Sequence, residues 1–433
     1  MNEFDRIGDL SQLWKQAAVV FPYFDRVALD WDQTYRAFLP RAAAAEDEAE
    51  FHLLMAEFLN LLGDGHTDYL LPRRLTEERG QLPFSLGYLG DGYFVDGIAK
   101  GGEKHLLTKV TGINGKPMDS ILGEAFRYCY HVDRFIYPSR LRQILPFLLK
   151  PEGNVLETEA GAYVFDLCRE KPELLRPEEP EADRSWKSLT RGKLDVRMYE
   201  GNILYIRLDN FLYARAAEEA AGALERAGDL KGVILDLRKN IGGMTYFGGK
   251  VAELFIPGEF HGSGKWTRTF KGIDMASAGQ VLRMSKQELD DFGGEDPEEL
   301  ETCRRIMGNV LFEEYRDTYG SPDHRAAYGG PCVVLTSRNT ISAAEDIVAM
   351  FRTNRRAAII GAPTCGTTGT PLLLNLSCGG RARICSVGYR LLDGTEFIRR
   401  GIQPDILAEN TLEDLKNGYD RVLERGFREI IGE

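Results

Sequence analysis

A serine hydroxyl attacks a carbonyl carbon only where a base can take its proton and N–H groups can receive the charge on the oxygen. The segment Thr340-Ile341-Ser342-Ala343-Ala344-Glu345-Asp346 offers such a serine. An apolar run, Val333 to Thr336, ends just before it and a helix-forming run follows, so Ser342 stands at the mouth of a helix. Backbone N–H groups and the positive helix end converge there, which suits a developing oxyanion. The same spacing also has a plain reading, because Ser342 and Glu345 make the S-x-x-E of a capping box. Spacing alone leaves both open. A second segment, Asp236-Leu237-Arg238-Lys239-Asn240-Ile241-Gly242-Gly243, follows another apolar strand. Paired glycines after a parallel strand let the backbone approach a ligand and turn an N–H towards it. It could equally be a plain strand–helix turn.

Other chemistries find less support. H-E-x-x-H, paired C-x-x-C, G-x-S-x-G and G-x-G-x-x-G are all absent. Gly243, Gly248, Gly249 and Lys250 come near a phosphate loop, but Val251 stands where a hydroxyl must reach magnesium. His52, His105, His131, His261 and His324 show no metal-ligand spacing, so neither metal nor cofactor is expected. Cys365 sits in a glycine-rich loop without the electropositive neighbours of a reactive thiol.

The elements that must position these residues alternate. Ile203 to Leu208 reads as a strand, 212 to 227 as a helix and Val233 to Leu237 as a strand. Val333 to Thr336, 342 to 353 and Ala357 to Ile360 repeat the order, which predicts an α/β domain with a mostly parallel sheet. Upstream, Phe51, Leu54, Met55, Phe58 and Leu62 fall at helical spacing over 43–62, and Gly63-Asp64-Gly65 ends that helix. From about 80 to 170 the period shortens: Tyr93-Phe94-Val95 and Leu106 to Ile113 read as strands, Asn114-Gly115 as a tight turn and Ser120 to Tyr128 as a helix. Pro172, Pro177 and Pro180 mark an exposed linker. Residues 283–318 are acidic and helical in pattern, and with Trp266 read as a solvated excursion rather than a lid. The expected organisation is a helical domain over 1–72, a β module over 73–171, a linker over 172–186 and an α/β core over 187–433 with an insertion at about 265–330.

Composition bounds the function. With 433 residues, 43% hydrophobic and 28% charged, the chain is globular and multidomain. Its formal charge of −12 leaves no electrostatic footprint for nucleic acid or an anionic membrane. Met1 to Trp14 lacks the basic and apolar regions of a signal peptide, and no apolar run reaches the ~20 residues of a membrane span. Seven scattered cysteines fit reduced thiols, so a cytoplasmic location is expected.

Taken together, the segments resemble the serine peptidases of the tricorn and C-terminal processing peptidase family. Asp236 to Gly243 matches its D-L-R-x-N-x-G-G, Ser342 to Asp346 its S-A-A-E-D, Gly361 to Gly369 its G-x-P-T-x-G-x-T-G, and Gly401 to Asp405 its G-I-x-P-D. Leu62-Gly63-Asp64-Gly65-His66-Thr67 is similar to its L-x-D-G-H-T. The resemblance implies Ser342 as nucleophile, the amides of Ala343, Gly242 and Gly243 as oxyanion hole, His66 as base and Glu396 as the acid orienting it. A serine–lysine dyad is not implied, because the loop Thr364-Cys365-Gly366-Thr367-Thr368-Gly369 holds no lysine; the tricorn-like branch is. It also implies a crotonase/ClpP-like core and a PDZ-like module, whose I-N-G-x-P is matched by Ile113 to Pro117 while the usual Gly-Asp pair upstream is missing. The expected substrate is a peptide or unfolded protein segment; the oligomeric state is left open. Two rivals keep the fold: a crotonase-like acyl-CoA enzyme and a catalytically silent peptide-binding protein.

Overall fold

Strands that are apolar on both faces need cover on both faces. Val233-Ile234-Leu235 and Val333-Val334-Leu335 are of this kind and are fully buried. A computed structural model of the chain, describing residues 1–432 apart from positions 91, 292, 295 and 309, sets them at the centre of a seven-stranded sheet. Its strands are β1 (Trp186–Ser188), β2 (Asp195–Tyr199), β3 (Ile203–Arg207), β4 (Gly232–Asp236), β5 (Cys332–Thr336), β6 (Ala358–Gly361) and β7 (Ile406–Leu407), side by side in that order. β1 to β3 pair antiparallel, and β3 to β7 run parallel. The helices are α1 (Ala216–Ala227), α2 (Thr245–Ala252), α3 (Ala343–Thr353) and α4 (Arg421–Ile431). Val422, Leu423 and Phe427 of α4 pack on Tyr205, Ile234, Val333 and Leu335. Residues 343–351 of α3 are all buried, and only Arg352 and Thr353 at its end are part-exposed.

The expected elements are present with shifted ends. The helix predicted from 212 starts at Ala216. Phe211 instead pairs as extended chain with Gly243: its N–H donates to Gly242 O and its carbonyl accepts from Met244 N–H. The strand predicted from Leu106 starts at Val110, because Glu103–His105 form a 3-10 turn and Leu107 takes φ +53°. Asn114 and Gly115 both have positive φ, as a tight Asn-Gly turn requires.

The chain divides into two compact units. One comprises Met1–Leu70, Gly264–Tyr315 and Gly369–Tyr389. It holds helices Glu3–Val20, Trp31–Ala44 and Glu48–Asn60 and a sheet of Asp68–Leu70, Arg381–Cys385 and Pro371–Asn375. Trp266 is a core residue of this unit: its indole N–H donates to Pro22 O and its ring meets Tyr23 edge-on. The acidic stretch after it carries helices Lys286–Asp291 and Pro297–Met307. The other unit comprises Leu71–Ser263, Arg316–Thr368 and Arg390–Glu433, and so contains the seven-stranded sheet. It also contains the β module, with hairpins Phe84–Leu89/Gly92–Ile98 and His131–Val132/Phe135–Ile136 and a four-stranded sheet over 110–165. Among the described residues no helix is long and apolar enough to cross a membrane.

Candidate active site

Ser342 follows β5 and precedes α3 with φ +61° and ψ −129°. For a residue with a Cβ this region costs about 1–3 kcal/mol and persists only where neighbours impose it. The capping expectation fails here, since the Ser342 side chain makes no cap hydrogen bond. The physical reason is the positive φ, whereas an N-cap serine has extended backbone geometry. The Ser342 backbone is held on both sides. Its N–H donates to Thr367 O at 2.9 Å, and its carbonyl accepts from Glu345 N–H at 2.7 Å and Asp346 N–H at 3.2 Å.

Glu345 has different work from the capping partner predicted for it. Fully buried, it accepts from Thr364 Oγ1 (2.5 Å), Gly366 N–H (2.8 Å) and Thr367 N–H (2.7 Å). Burial pushes its carboxyl up to about 8, against these three donors, which favour the ionised form. Asp346 accepts from Thr368 Oγ1 and from Thr245 Oγ1 at the start of α2. The two acids after Ser342 therefore tie down the 364–368 loop and the neighbouring helix.

The Asp236–Gly243 loop is built the same way. Arg238 is half-buried and ion-paired with the buried Asp236 and Asp420, and Tyr205 donates to Asp236 at 2.8 Å. These carboxylates hold the guanidinium permanently charged, and it keeps Asp236 below the usual carboxylate range. Asn240 donates through Nδ2 to Leu208 O and accepts Gly242 N–H at 2.9 Å. The serine loop is laced to this one by Ile341 N–H to Asn240 O, Ser337 Oγ to Arg238 O and Thr340 Oγ1 to Leu237 O.

Three amides were singled out from sequence, and they differ. The Gly242 N–H is committed to Asn240, so it is withdrawn from the oxyanion-hole assignment. Gly242 contributes its missing side chain instead: at φ +91°, a Cβ would lie 2.6 Å from Ser342 Cβ and 3.1 Å from its Oγ. The N–H groups of Gly243 and Ala343 donate to no protein acceptor among the described residues. Such amides beside a serine can receive an oxyanion.

His66 lies in the other unit, in a turn closed by Asp64, which accepts from His66 N–H at 3.1 Å and Thr67 Oγ1 at 2.8 Å. The imidazole is buried, and Gly369 backs it: a Cβ there would lie 3.4 Å from His66 Cβ and 2.5 Å from Cys385 Sγ. Glu396 is half-buried in the irregular stretch after Leu391. Cys365 is buried and its thiol is pushed well up by burial, which leaves it inert as a nucleophile. A cavity of about 280 Å³ opens elsewhere, lined by Tyr88, Phe135, Arg238, Ser337, Arg338 and Asn339 among others; Ser342 is not in its lining. Chemistry locates the site better than volume does. Sequence reasoning missed Asn240, Asp346, Thr364 and Thr367. Their signal was available as buried-polar residue types beside glycines, but their partners are distant in the chain.

Comparison with known proteins matches the sequence profile of peptidase family S41 to residues 202–408. The chain is 24% identical over 238 residues to the carboxy-terminal-processing protease of Bartonella bacilliformis, covering 54% of this chain and 44% of that protein. It is 27% identical over 223 residues to the carboxyl-terminal-processing protease of Synechocystis, covering 51% and 41%. The chain thus spans less than half the length of these relatives. Mature CPAF, solved in complex with lactacystin, superposes with a TM-score of 0.71 over 99% of this chain and 98% of that one, at 14% identity. That likeness establishes a shared mixed α/β, multidomain fold.

Proposed function

We propose, from the match of residues 202–408 to peptidase family S41, that the chain is a serine peptidase that cleaves peptides or unfolded protein segments without a cofactor. Ser342 is the nucleophile. His66 takes the proton from Ser342 Oγ as the hydroxyl attacks the scissile carbonyl, and Glu396 orients the imidazole. The N–H groups of Gly243 and Ala343 receive the oxyanion, each such donor typically being worth ~3 kcal/mol. Collapse of the tetrahedral intermediate releases the amine, protonated by His66. Water then hydrolyses the acyl-enzyme by the reverse sequence.

The observation that carries this reading is a serine held at φ +61° against Gly242, next to two uncommitted amides. The sheet and helices over 186–431 support a crotonase/ClpP-like core, and the small sheet and hairpins over 84–165 support a PDZ-like module. Seven free cysteines support a reducing compartment such as the cytoplasm. The test is labelling by a fluorophosphonate. We expect one adduct, on Ser342, lost in Ser342→Ala. An acyl-CoA enzyme or a silent binding protein would not react there, and an unlabelled Ser342 in folded protein overturns the proposal.

A further inference from the structure

Tyr130 belongs to the β module, immediately before the hairpin His131–Val132/Phe135–Ile136. Its hydroxyl donates to the carbonyl of Gly366, 3.1 Å away and 236 residues on in sequence. Gly366 is a node. Its N–H goes to Glu345, its carbonyl also accepts from Arg399 N–H at 2.7 Å, and its φ is +79°. A Cβ there would lie 2.6 Å from Gly401 N and 2.7 Å from Arg400 N, so the peptide cannot be widened. The next residue carries the constraint onward: Thr367 N–H also goes to Glu345, and Thr367 O accepts the N–H of Ser342. The carbonyl that Tyr130 holds and the carbonyl that holds Ser342 are adjacent in the chain.

A second contact lands on the same loops. Asp133, at φ +52° in the turn of the hairpin, lies 3.8 Å from Arg338. Arg338 in turn donates to Thr364 O and Arg400 O, both at 3.3 Å. Because Asp133 is 82% exposed, its charge contributes little by itself.

We propose that Tyr130 is a positioning residue for Ser342, and that the β module, through Tyr130 and the Asp133–Arg338 contact, is a strut that fixes the serine loop. This rests on Ser342 being the nucleophile. Displacements of about 1 Å far from the reacting atoms can cost ~100-fold in rate. Tyr130→Phe removes one hydroxyl from a carbonyl that keeps Arg399 N–H as a donor, so the fold survives and the loop loosens.

The experiment compares wild type, Tyr130→Phe, Arg338→Gln and the control Tyr163→Phe, whose ring stacks on Phe165 within the module. The readouts are peptide turnover, KM, the fluorophosphonate labelling rate of Ser342 and melting temperature. For Tyr130→Phe we expect turnover and labelling rate to fall together by about three- to tenfold, the equivalent of one ordinary hydrogen bond. KM should stay within about twofold, since ground-state binding is untouched. Arg338→Gln should fall by about tenfold or more and Tyr163→Phe should match wild type. Wild-type labelling rates in both Tyr130→Phe and Arg338→Gln overturn the strut, as does a change confined to KM. A wild-type protein that is never labelled fails the peptidase reading itself, which is a different result.

Discussion

Replacing Ser342 by glycine should raise the stability of this protein while abolishing its activity. The reasoning starts from φ +61° and ψ −129° with no cap hydrogen bond from the side chain. Holding a residue with a Cβ in such a region costs about 1–3 kcal/mol. Glycine removes most of that cost but brings an unfolded-state entropy loss of roughly 0.5–1 kcal/mol. The net gain is about 1 kcal/mol, a rise of ~2 °C in melting temperature. An ordinary N-cap serine gives the opposite sign: there glycine loses a few tenths and alanine about 1 kcal/mol. Ser342→Ala keeps the Cβ and therefore the strain, so it should fall below the glycine variant. The assay is scanning calorimetry on the wild type and both variants, with fluorophosphonate labelling to show that both are inactive. A glycine variant that melts below wild type would refute the strain argument and restore the cap.

Four further outcomes follow from the same geometry. Gly242→Ala should cut turnover at least ~100-fold, because its Cβ would sit 2.6 Å from that of Ser342 at φ +91°; wild-type turnover would show that the loop has room. Glu345, raised from 4.5 to about 8, binds more protons folded than unfolded across that window, so its contribution to stability should fall as pH rises from about 4.5 to 8. Urea unfolding at several pH values checks this, and Glu345→Gln should flatten the slope; an unchanged slope refutes it. Arg238→Met leaves Asp236 and Asp420 facing each other without their cation, and urea unfolding should show a loss of about 3–5 kcal/mol. If His66 is the base, His66→Ala should lose peptide hydrolysis and fluorophosphonate labelling of Ser342 together while staying folded. Wild-type turnover by that variant removes His66.

The strands and helices of the core could be read from sequence because each is a local pattern. Val233 to Leu235 and Val333 to Leu335 are apolar runs that only a doubly covered strand satisfies. Local patterns fail where a distant partner decides. The helix expected from 212 loses its first turn to the pairing of Phe211 with Gly243, which nothing near Phe211 announces. The capping box fails for the same reason. Ser342 and Glu345 have the right types at the right spacing, but Thr364, Gly366 and Thr367 claim the carboxylate from another loop. The glycine pair was legible as a backbone approach, while the division of labour within it was not. Asn240, two residues back, takes one amide and leaves the other.

This division bears on the rival reading of a silent peptide-binding protein. Nearly all the matched side chains tie loops together: Asp236 and Arg238 to Asp420, Asn240 to Leu208, Glu345 and Asp346 to the threonines of 364–368. None of those bonds requires a hydroxyl at position 342. A protein that only kept the scaffold would be free to carry glycine there, which fits φ +61° without strain. It would equally have no reason to leave the Gly243 and Ala343 amides uncommitted in a loop where nearly every neighbouring polar group is paired. Strain at Ser342 and unspent donors on Gly243 and Ala343 beside it are costs to stability that serve a reacting carbonyl oxygen. Their coincidence at Ser342 is therefore an argument for catalysis that does not depend on the resemblance to other peptidases.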